Sequence, residues 1–340
     1  MEQVTKLYEP IGNKRFRWKQ KEFVLSTFTC AAVNMEQSIQ NWKEVGVNHV
    51  ELGWVSHERV WEAVELCEKY QLNLIFQDLS LLGGMMGRHM SRLVSDETIR
   101  DVAAKLKDKK YTVGYFIWDE PFQEDMFAEA RRQSDILHEC DPDALLYSVF
   151  VPSYNPGPTW DNGEYAQAFE EYIHRLEPPV LSIDHYPIGD YWGIYPGYIY
   201  DDEKQLDDAV IWCDLGLARK LARKHDLPFW FYYQACPLYK ITKKFEHSMI
   251  RMMMYAAAIY GAKGLQMYAA SAGEEYGRVT GDQIITAEGE KGIFFEKQKE
   301  VHAEFRNLGP TLMALESKLV YHLFTTSTFT FHYAITFRTL

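Results

Sequence analysis

Short β-rich apolar runs alternate with amphipathic helical stretches along almost the whole chain, and this alternation limits the possible fold more than any other feature. Each run has the length of a buried strand, and the stretches between the runs carry apolar residues at helical spacing. The runs occupy residues 23–30, 47–54, 72–79, 112–119, 144–151, 179–186, 228–235 and 262–269. Eight strand–helix pairs within about 250 residues match the size of a (β/α)₈ barrel. We therefore predict an α/β fold of this type, a TIM barrel.

A doubly wound open sheet is the rival α/β fold, and its phosphate-binding signatures are missing. The exit from the first run, 28–35 (FTCAAVNM), has no glycine fingerprint. The stretch 83–87 (GGMMG) follows the third run but lacks the Lys and Ser/Thr of a phosphate loop. We predict that the barrel spans 1–316 and that a helix at roughly 293–315 closes it. The tail, 317–340, alternates Thr and Phe, so we expect a β-like segment or the beginning of a further β-domain.

Charge and hydropathy exclude several classes of partner. The formal net charge of −12 argues against nucleic acid or an anionic membrane surface. No apolar stretch reaches the roughly 18 residues that a membrane span needs. The N-terminal segment 1–20 lacks the apolar region of a signal peptide, which predicts a cytoplasmic protein, or a periplasmic or secreted one if a leader was removed.

The cysteines and histidines show no metal-ligand pattern. The five cysteines are scattered and odd in number, which favours buried free thiols. His49, His185 and His322 share no ligand spacing with carboxylates. We therefore predict neither a metal nor a cofactor.

Polar and aromatic residues collect where the predicted strands end. In a barrel these carboxyl ends converge on one mouth, where active sites form. The residues concerned are Glu51, Trp54, Asp78, Trp118, Asp119, Glu120, Asp184, His185, Tyr186, Tyr233, Gln234 and Tyr268. Carboxylates and rings dominate this set and cations are scarce, which suits a carbohydrate better than a phosphate, because aromatic faces stack on sugar C–H groups. Glu51 and Asp78 fit sugar binding better than catalysis.

Glu120 is the strongest candidate for chemistry. It follows an apolar strand and precedes Pro121, which interrupts strand continuation. A carboxyl group beside Trp118 is expected to be partly desolvated and to keep a proton, as a glycosidic leaving oxygen requires. The alternative is structural: Asp119 or Glu120 would favour the beginning of the next helix through the helix dipole.

The segment 118–121 (WDEP) resembles the Asn-Glu-Pro or Asp-Glu-Pro signature of the large barrel superfamily of retaining glycosidases known as clan A. The resemblance in layout covers roughly residues 20–315 and implies that Glu120 is the general acid/base. The segments 182–188 (SIDHYPI) and 260–268 (YGAKGLQMY) resemble the sixth and eighth strands of glycoside-hydrolase-like proteins of gut bacteria.

One position departs from the superfamily pattern. The superfamily places its nucleophile, a Glu, at the end of the seventh strand, where this chain has Gln234. Three explanations are open. The predicted end of the seventh strand is shifted, Gln234 is a replacement that disables turnover, or another carboxylate is the nucleophile. Asp184 is the best alternative, as a nucleophile about 5 Å from the acid or an inverting base at roughly 6.5–9.5 Å; it equally fits a hydrogen-bond acceptor for a sugar hydroxyl. Asp119 next to Glu120 also resembles substrate-assisted hexosaminidases, which need no protein nucleophile.

Three functional hypotheses follow. The first is a glycoside hydrolase acting on a polysaccharide or oligosaccharide, with Glu120 as acid/base and Asp184 or the Gln234 position completing the site. The second is a catalytically impaired carbohydrate-binding barrel, motivated by Gln234. The third, a lyase or isomerase, would require a Lys base or a metal at the mouth, and the sequence offers neither there.

Overall fold

The computed structural model describes residues 8–10, 18–28, 33–51, 57–77, 94–153, 164–188, 209–236, 245–268, 274–275, 278–279 and 284–321. The predicted site residues Trp54 and Asp78 lie outside these ranges.

Eight parallel strands close into a barrel, which confirms the predicted fold class. Each of them falls within its predicted run, and the order around the barrel follows the chain, with the last strand pairing to the first. The barrel strands are β3 (Val24–Phe28), β4 (His49–Glu51), β5 (Asn73–Phe76), β6 (Thr112–Asp119), β7 (Leu145–Phe150), β8 (Leu181–His185), β9 (Phe229–Gln234) and β10 (Gly264–Tyr268).

Eight helices surround the described part of the barrel. They are α1 (Met35–Val45), α2 (His57–Tyr70), α3 (Asp96–Leu106), α4 (Glu124–Cys140), α5 (Glu164–Leu176), α6 (Ala209–His225), α7 (His247–Tyr260) and α8 (Phe295–Ala314). The Ser95 hydroxyl accepts the Thr98 N–H and begins α3. Gly46 and Gly261 end α1 and α7 with φ of 97° and 98°, a left-handed conformation that glycine adopts without steric penalty. None of the described helices combines the length and the apolarity needed to cross a bilayer.

An antiparallel hairpin, which the sequence patterns did not predict, precedes the barrel. It consists of β1 (Tyr8–Pro10) and β2 (Trp18–Gln20). The Trp18 ring packs with residues of the barrel interior, and the Trp230 indole donates a hydrogen bond to Gln20 at 2.9 Å. Because Val24 and Val180 at the amino-terminal side of the barrel share this cluster, the hairpin covers the end opposite the mouth.

Apolar side chains form two shells. An inner cluster fills the barrel and contains Phe116, Tyr147 and Trp230, whereas a larger cluster lies between strands and helices. This arrangement follows from the alternation of side chains along each strand. It means that neighbouring residues at a strand end face different surroundings.

The end of the described chain packs on the outside of the barrel. After α8, the Arg219 guanidinium on α6 donates to the backbone oxygens of Ser317 and Lys318. Residues 317–321 contain no strand, and 322–340, where most of the predicted β-like tail falls, lie outside the described residues. Two further short strands, β11 (Glu274–Glu275) and β12 (Arg278–Val279), pair with each other after β10.

Candidate active site

A β-bulge at the end of β6 changes the direction of its last side chains. Phe116 is opposite Tyr147 on β7, but Asp119 is opposite Val149, so β6 has one residue more than its neighbour over this stretch. A bulge of this kind re-aims the residues that follow it. Trp118, within the bulge, is buried in the shell between strands and helices, whereas Asp119 is half-buried. The position of Trp118 between strands and helices therefore does not support the predicted contact with a sugar.

Glu120 has a left-handed backbone with φ of 52°. The other described non-glycine residues with positive φ, which are Gln71, Glu177 and Asp226, directly follow helices, where this conformation is common. Glu120 follows a strand instead, and for a residue with a long side chain the conformation costs about 1 to 2 kcal/mol. Its N–H donates to the Val149 carbonyl at 3.1 Å, and its side chain is buried. Backbone strain at a buried carboxyl group is the kind of outlier that clusters at functional sites.

The Asp184 side chain lies against Glu120. Asp184 is on β8, two strands away around the barrel, and the two carboxyl groups are joined by a hydrogen bond. We call these two residues the carboxyl pair. Burial, together with the negative charge of Asp119, raises the pKa of Asp184 to about 7, although hydrogen bonds from Glu120 and Tyr186 partly oppose the shift. Two carboxyl groups in contact resist ionising together, which favours the retention of one proton by the pair.

The second oxygen of Asp184 lacks a hydrogen-bond donor in the part of the chain that the structure describes. Asp184 Oδ1 is buried and makes no hydrogen bond to any of these residues. A buried carboxylate oxygen without a donor is unfavourable, and a substrate hydroxyl can supply that donor. The direct contact within the carboxyl pair also leaves no room for the attacking water that separates the two carboxyl groups of an inverting enzyme. Asp184 therefore fits a proton-sharing partner of Glu120 better than an inverting base.

Gln234 has a structural position at the end of β9. It is fully buried, and its carbonyl oxygen accepts the Ile188 N–H at 2.9 Å. Its amide nitrogen donates to the Ile188 and Cys236 carbonyl oxygens at 2.6 and 3.0 Å. These bonds fasten the segment after β8 to the end of β9. A glutamate cannot reproduce them, because a carboxylate has no N–H to offer the two carbonyl oxygens.

A buried polar layer crosses the barrel beneath the mouth. Glu51 is fully buried; its Oε1 accepts Ser26 at 2.6 Å and Gln266 at 2.8 Å, and its Oε2 accepts the hydroxyls of Tyr147 and Tyr232. The layer consists of Ser26, Glu51, Tyr147, Ser182, Tyr232 and Gln266.

The layer lies directly under the mouth residues. Asp184, Gln234 and Tyr268 each follow a layer residue by two positions on the same strand, so they face the same side one step closer to the mouth. Burial raises the pKa of Glu51 against the effect of its donors. Both Glu51 oxygens are occupied, so the predicted contact with a sugar would require this network to open.

Two predicted site residues face the helices instead. His185 is fully buried, and its Nδ1 lies 2.8 Å from Asp214 Oδ2 on α6. The same Asp214 oxygen accepts the Ser153 N–H at 3.2 Å, which ties the ends of β7 and β8 to α6. Tyr233 is likewise fully buried and receives a hydrogen bond from Gln298 on α8 at 3.2 Å.

Two residues around the site, Tyr165 and Asp214, were not predicted from the sequence. Tyr165 on α5 donates to the Val151 carbonyl at 2.9 Å. Burial, and then the charges of Asp214, Asp184 and Glu120, raise the pKa of Tyr165. Asp214 was the other omission, and its signal was an aspartate on an otherwise apolar stretch of helix. Nothing local in the sequence marked Tyr165.

Tyr186 and Tyr268 form an aromatic pair beside Asp184. Their rings stack at 4.8 Å between centroids and 21° between planes, and both side chains are partly exposed. Phe28 packs on Tyr268 at 5.6 Å. Partly exposed rings next to a hydrogen-bonding carboxyl group provide the apolar and polar contacts that a sugar needs.

The comparisons with known proteins bear on the fold. No protein-family model and no curated protein matches the sequence. Among solved structures, the chain is similar to a β-galactosidase from Marinomonas ef1, with a TM-score of 0.57, 12% identity and coverage of 86% of this chain and 62% of that one. A β-glucuronidase from Ruminococcus gnavus gives a TM-score of 0.58 at 9% identity, covering 85% of this chain and 52% of that one. A GH10 xylanase from Thermobacillus composti gives 0.51 at 12% identity, covering 82% and 96%.

These similarities concern architecture alone, because the identities are so low. The chain spans between 48% and 62% of the first galactosidase and glucuronidase structures that it matches. Glycoside hydrolases of several families thus share this barrel. The chain has a TIM-barrel fold of the kind found in glycoside hydrolases.

Proposed function

We propose that the protein is a glycoside hydrolase in which Glu120 protonates the leaving glycosidic oxygen. The observation that carries this proposal is the carboxyl pair, in which a strained, buried Glu120 is hydrogen-bonded to an Asp184 whose pKa is raised to about 7. General acid catalysis needs a group that still holds a proton near the working pH. A shared proton in a buried carboxyl pair meets that need.

The pair also provides the return step. Once Glu120 has given its proton to the leaving group, two carboxylates stand in contact in a buried site. Their repulsion raises the proton affinity of the pair, which then favours removing a proton from an incoming water or acceptor. The same residues can thus act as acid and as base in successive steps.

Substrate binding is assigned to the surroundings of Asp184. Its buried Oδ1 accepts a sugar hydroxyl, and the partly exposed rings of Tyr186 and Tyr268 contact the C–H face of the sugar. The solved structures of similar fold are named β-galactosidase, β-glucuronidase and xylanase. These names define the first substrates to test.

The proposed reaction needs a nucleophile in addition to Glu120, and this is either a second carboxylate of the protein or a group of the substrate. Gln234 is held by three hydrogen bonds and does not act as a nucleophile. Asp119 is half-buried, and its charge reaches Asp184. Substrate assistance, in which an acetamido group of the sugar attacks and Asp119 orients it, therefore fits the described residues without a further nucleophile.

A carbohydrate-binding barrel without turnover is the second candidate function. It is favoured by the same Gln234, since the end of β9 offers no carboxylate among the described residues. In that case the aromatic pair and Asp184 Oδ1 bind a sugar, and the strained backbone of Glu120 positions its side chain for binding and not for catalysis.

One experiment decides between hydrolysis and binding. The chain, Glu120→Gln and the exposed control Glu300→Gln would be assayed on β-galactosides, β-glucuronides, N-acetyl-β-hexosaminides and xylan, with binding of the same sugars measured by calorimetry. We expect hydrolysis by the chain and the control, with Glu120→Gln reduced by a factor of about 10² to 10⁴ and still binding sugar. Hydrolysis unaffected by Glu120→Gln would refute the assignment, whereas sugar binding without turnover in all three proteins would support the second candidate.

A further inference from the structure

A cluster of two histidines and one glutamate lies far from the barrel mouth. Glu170 and His174 are one helical turn apart on α5, and His225 is the last residue of α6. Barrel helices run antiparallel to the strands, so the carboxyl ends of α5 and α6 are at the end opposite the mouth. The cluster therefore takes no part in the proposed sugar chemistry.

The ligand atoms of the three side chains converge. Glu170 Oε2 lies 2.7 Å from His225 Nε2 and 3.7 Å from His174 Nε2. The two imidazole rings meet edge to face with centroids 5.4 Å apart. All three potential ligand atoms are within 4.8 Å of one another. Ligands of a tetrahedral Zn²⁺ at about 2.0 to 2.2 Å are themselves roughly 3.4 Å apart, so small side-chain rotations suffice to hold one ion.

The exposures of the three residues also suit an ion site. His174 is 65% exposed, Glu170 25% and His225 15%. An ion can thus enter from solvent while two of its ligands stay fixed by the packing between α5 and α6. An open position would remain for water, as in zinc sites with three protein ligands.

Lys224 is the competing group. Its ammonium pairs with the other Glu170 oxygen, Oε1, and its side chain is 57% exposed. Lys224 therefore neutralises Glu170 and repels a cation, but it can swing into solvent when an ion takes its place. Removal of the Lys224 charge should therefore increase the affinity of the cluster for a cation.

We propose that Glu170, His174 and His225 form a binding site for a late first-row divalent ion such as Zn²⁺, joining α5 to α6. Imidazole and carboxylate ligands are the donor set that such ions accept. The spacing of His49, His185 and His322 in the sequence did not indicate this group. The available signal was the spacing of four between Glu170 and His174 on a predicted helix, but the third ligand comes from a different helix.

The test is a Zn²⁺ titration of the chelator-treated full chain by calorimetry. The variants are His174→Ala, His225→Ala and Lys224→Ala, with His57→Ala as control because His57 is exposed on α2 and outside the cluster. We expect each cluster histidine variant to lose at least about tenfold in affinity, Lys224→Ala to bind more tightly, and the control to match the parent chain. Zn²⁺ should also raise the Tm of the parent chain but not that of His174→Ala.

Two outcomes would overturn the site. One is a parent chain that binds Zn²⁺ no more tightly than His174→Ala or His225→Ala, which would place any bound ion elsewhere. The other is weaker binding by Lys224→Ala, which would show that the lysine supports the cluster instead of competing with an ion. Since exposed His174 has little packing to lose, circular dichroism of its variant is expected to match the parent chain.

Discussion

The barrel holds two buried carboxyl sites one layer apart, and they are organised in opposite ways. In the buried polar layer, Glu51 accepts hydrogen bonds on both oxygens from four side chains. In the carboxyl pair above it, Asp184 is hydrogen-bonded to Glu120, and its Oδ1 has no donor among the described residues. Burial raises the pKa of both Glu51 and Asp184.

Burial alone therefore does not distinguish the carboxyl pair that we propose for catalysis from the buried polar layer. What differs is the state of the hydrogen bonds and of the backbone. Glu51 lies in a regular strand with its acceptors filled, whereas Glu120 has a left-handed backbone after a bulge. A satisfied buried network stabilises the fold, and an incomplete one has capacity left for a ligand. Mutations at the two sites should accordingly affect different properties.

Glu120→Gln should produce the largest effect, and it should fall on activity. Loss of the proton donor is expected to lower kcat/KM by a factor of about 10² to 10⁴. The Tm should change little, because the amide keeps the size and hydrogen-bonding capacity of the carboxylic acid. Steady-state kinetics and a thermal melt of the same preparation check both statements. A large fall in Tm would instead indicate that Glu120 stabilises the fold, as Glu51 does.

Glu51→Ala should show the reverse pattern. Removing the carboxylate takes an acceptor from four buried donors and opens a cavity, so we expect a loss of about 3 to 5 kcal/mol in the free energy of unfolding. Glu51→Gln, which retains one carbonyl acceptor, should lose less. Urea denaturation measures both. An unchanged stability with abolished turnover would place Glu51 in the substrate site, as the sequence predicted.

Gln234→Glu tests whether this position is a disabled nucleophile. A carboxylate there would face the Ile188 and Cys236 carbonyl oxygens without a donor. We expect a loss of roughly 2 kcal/mol in stability at neutral pH and no gain in hydrolysis. Denaturation and the glycoside panel provide the measurements. Hydrolysis that appears only in Gln234→Glu would mean that the chain is a disabled retaining enzyme.

Asp184→Asn should show a smaller effect that depends on pH. The folded protein raises the pKa of Asp184 from 3.8 to about 7, so the stability linked to its protonated form is complete below about pH 4 and is lost as pH rises through about 7. The amide avoids this loss. The variant should therefore be more stable than the parent chain at about pH 8, by at most the roughly 4 kcal/mol that a shift from 3.8 to about 7 represents, and similar to it near pH 4.

The control for this pH dependence is Glu300→Gln, since Glu300 is exposed on α8. Its stability should follow that of the parent chain across the same range. An equal gain in both variants would trace the effect to net charge and not to the buried position of Asp184.

Sequence patterns sufficed for the strands but not for the direction of their last residues. The eight strands were predictable because buried strand-length runs repeat between helical segments. Glu120 and Asp184 were predictable as neighbours because strand ends meet at the mouth. The direction of the Trp118 side chain does not follow from alternation, since the bulge between Phe116 and Asp119 shifts the pattern by one residue.

The alternation of side chains along β9 explains why its two adjacent tyrosines have different surroundings. Tyr232 faces the barrel interior and Tyr233 faces α8, although the sequence presents two adjacent tyrosines without distinction. The role of Gln234 depends on the Ile188 backbone, which belongs to a segment 46 residues earlier. No local pattern contains such a long-range partner. Trp54 and Asp78 stay predictions, because they lie outside the described residues.

Infrared difference spectroscopy across a pH titration can observe, without a substrate, the proton that we propose Glu120 and Asp184 share. The carbonyl absorption of protonated carboxyl groups would be followed from about pH 5 to about pH 9 in the parent chain, Asp184→Asn and Glu51→Gln. We expect the parent chain and Glu51→Gln to lose one such signal near pH 7, and Asp184→Asn to lose its signal at lower pH because the neighbouring charge is gone. A parent chain that loses no signal in this range, or an unchanged titration in Asp184→Asn, would contradict the shared proton.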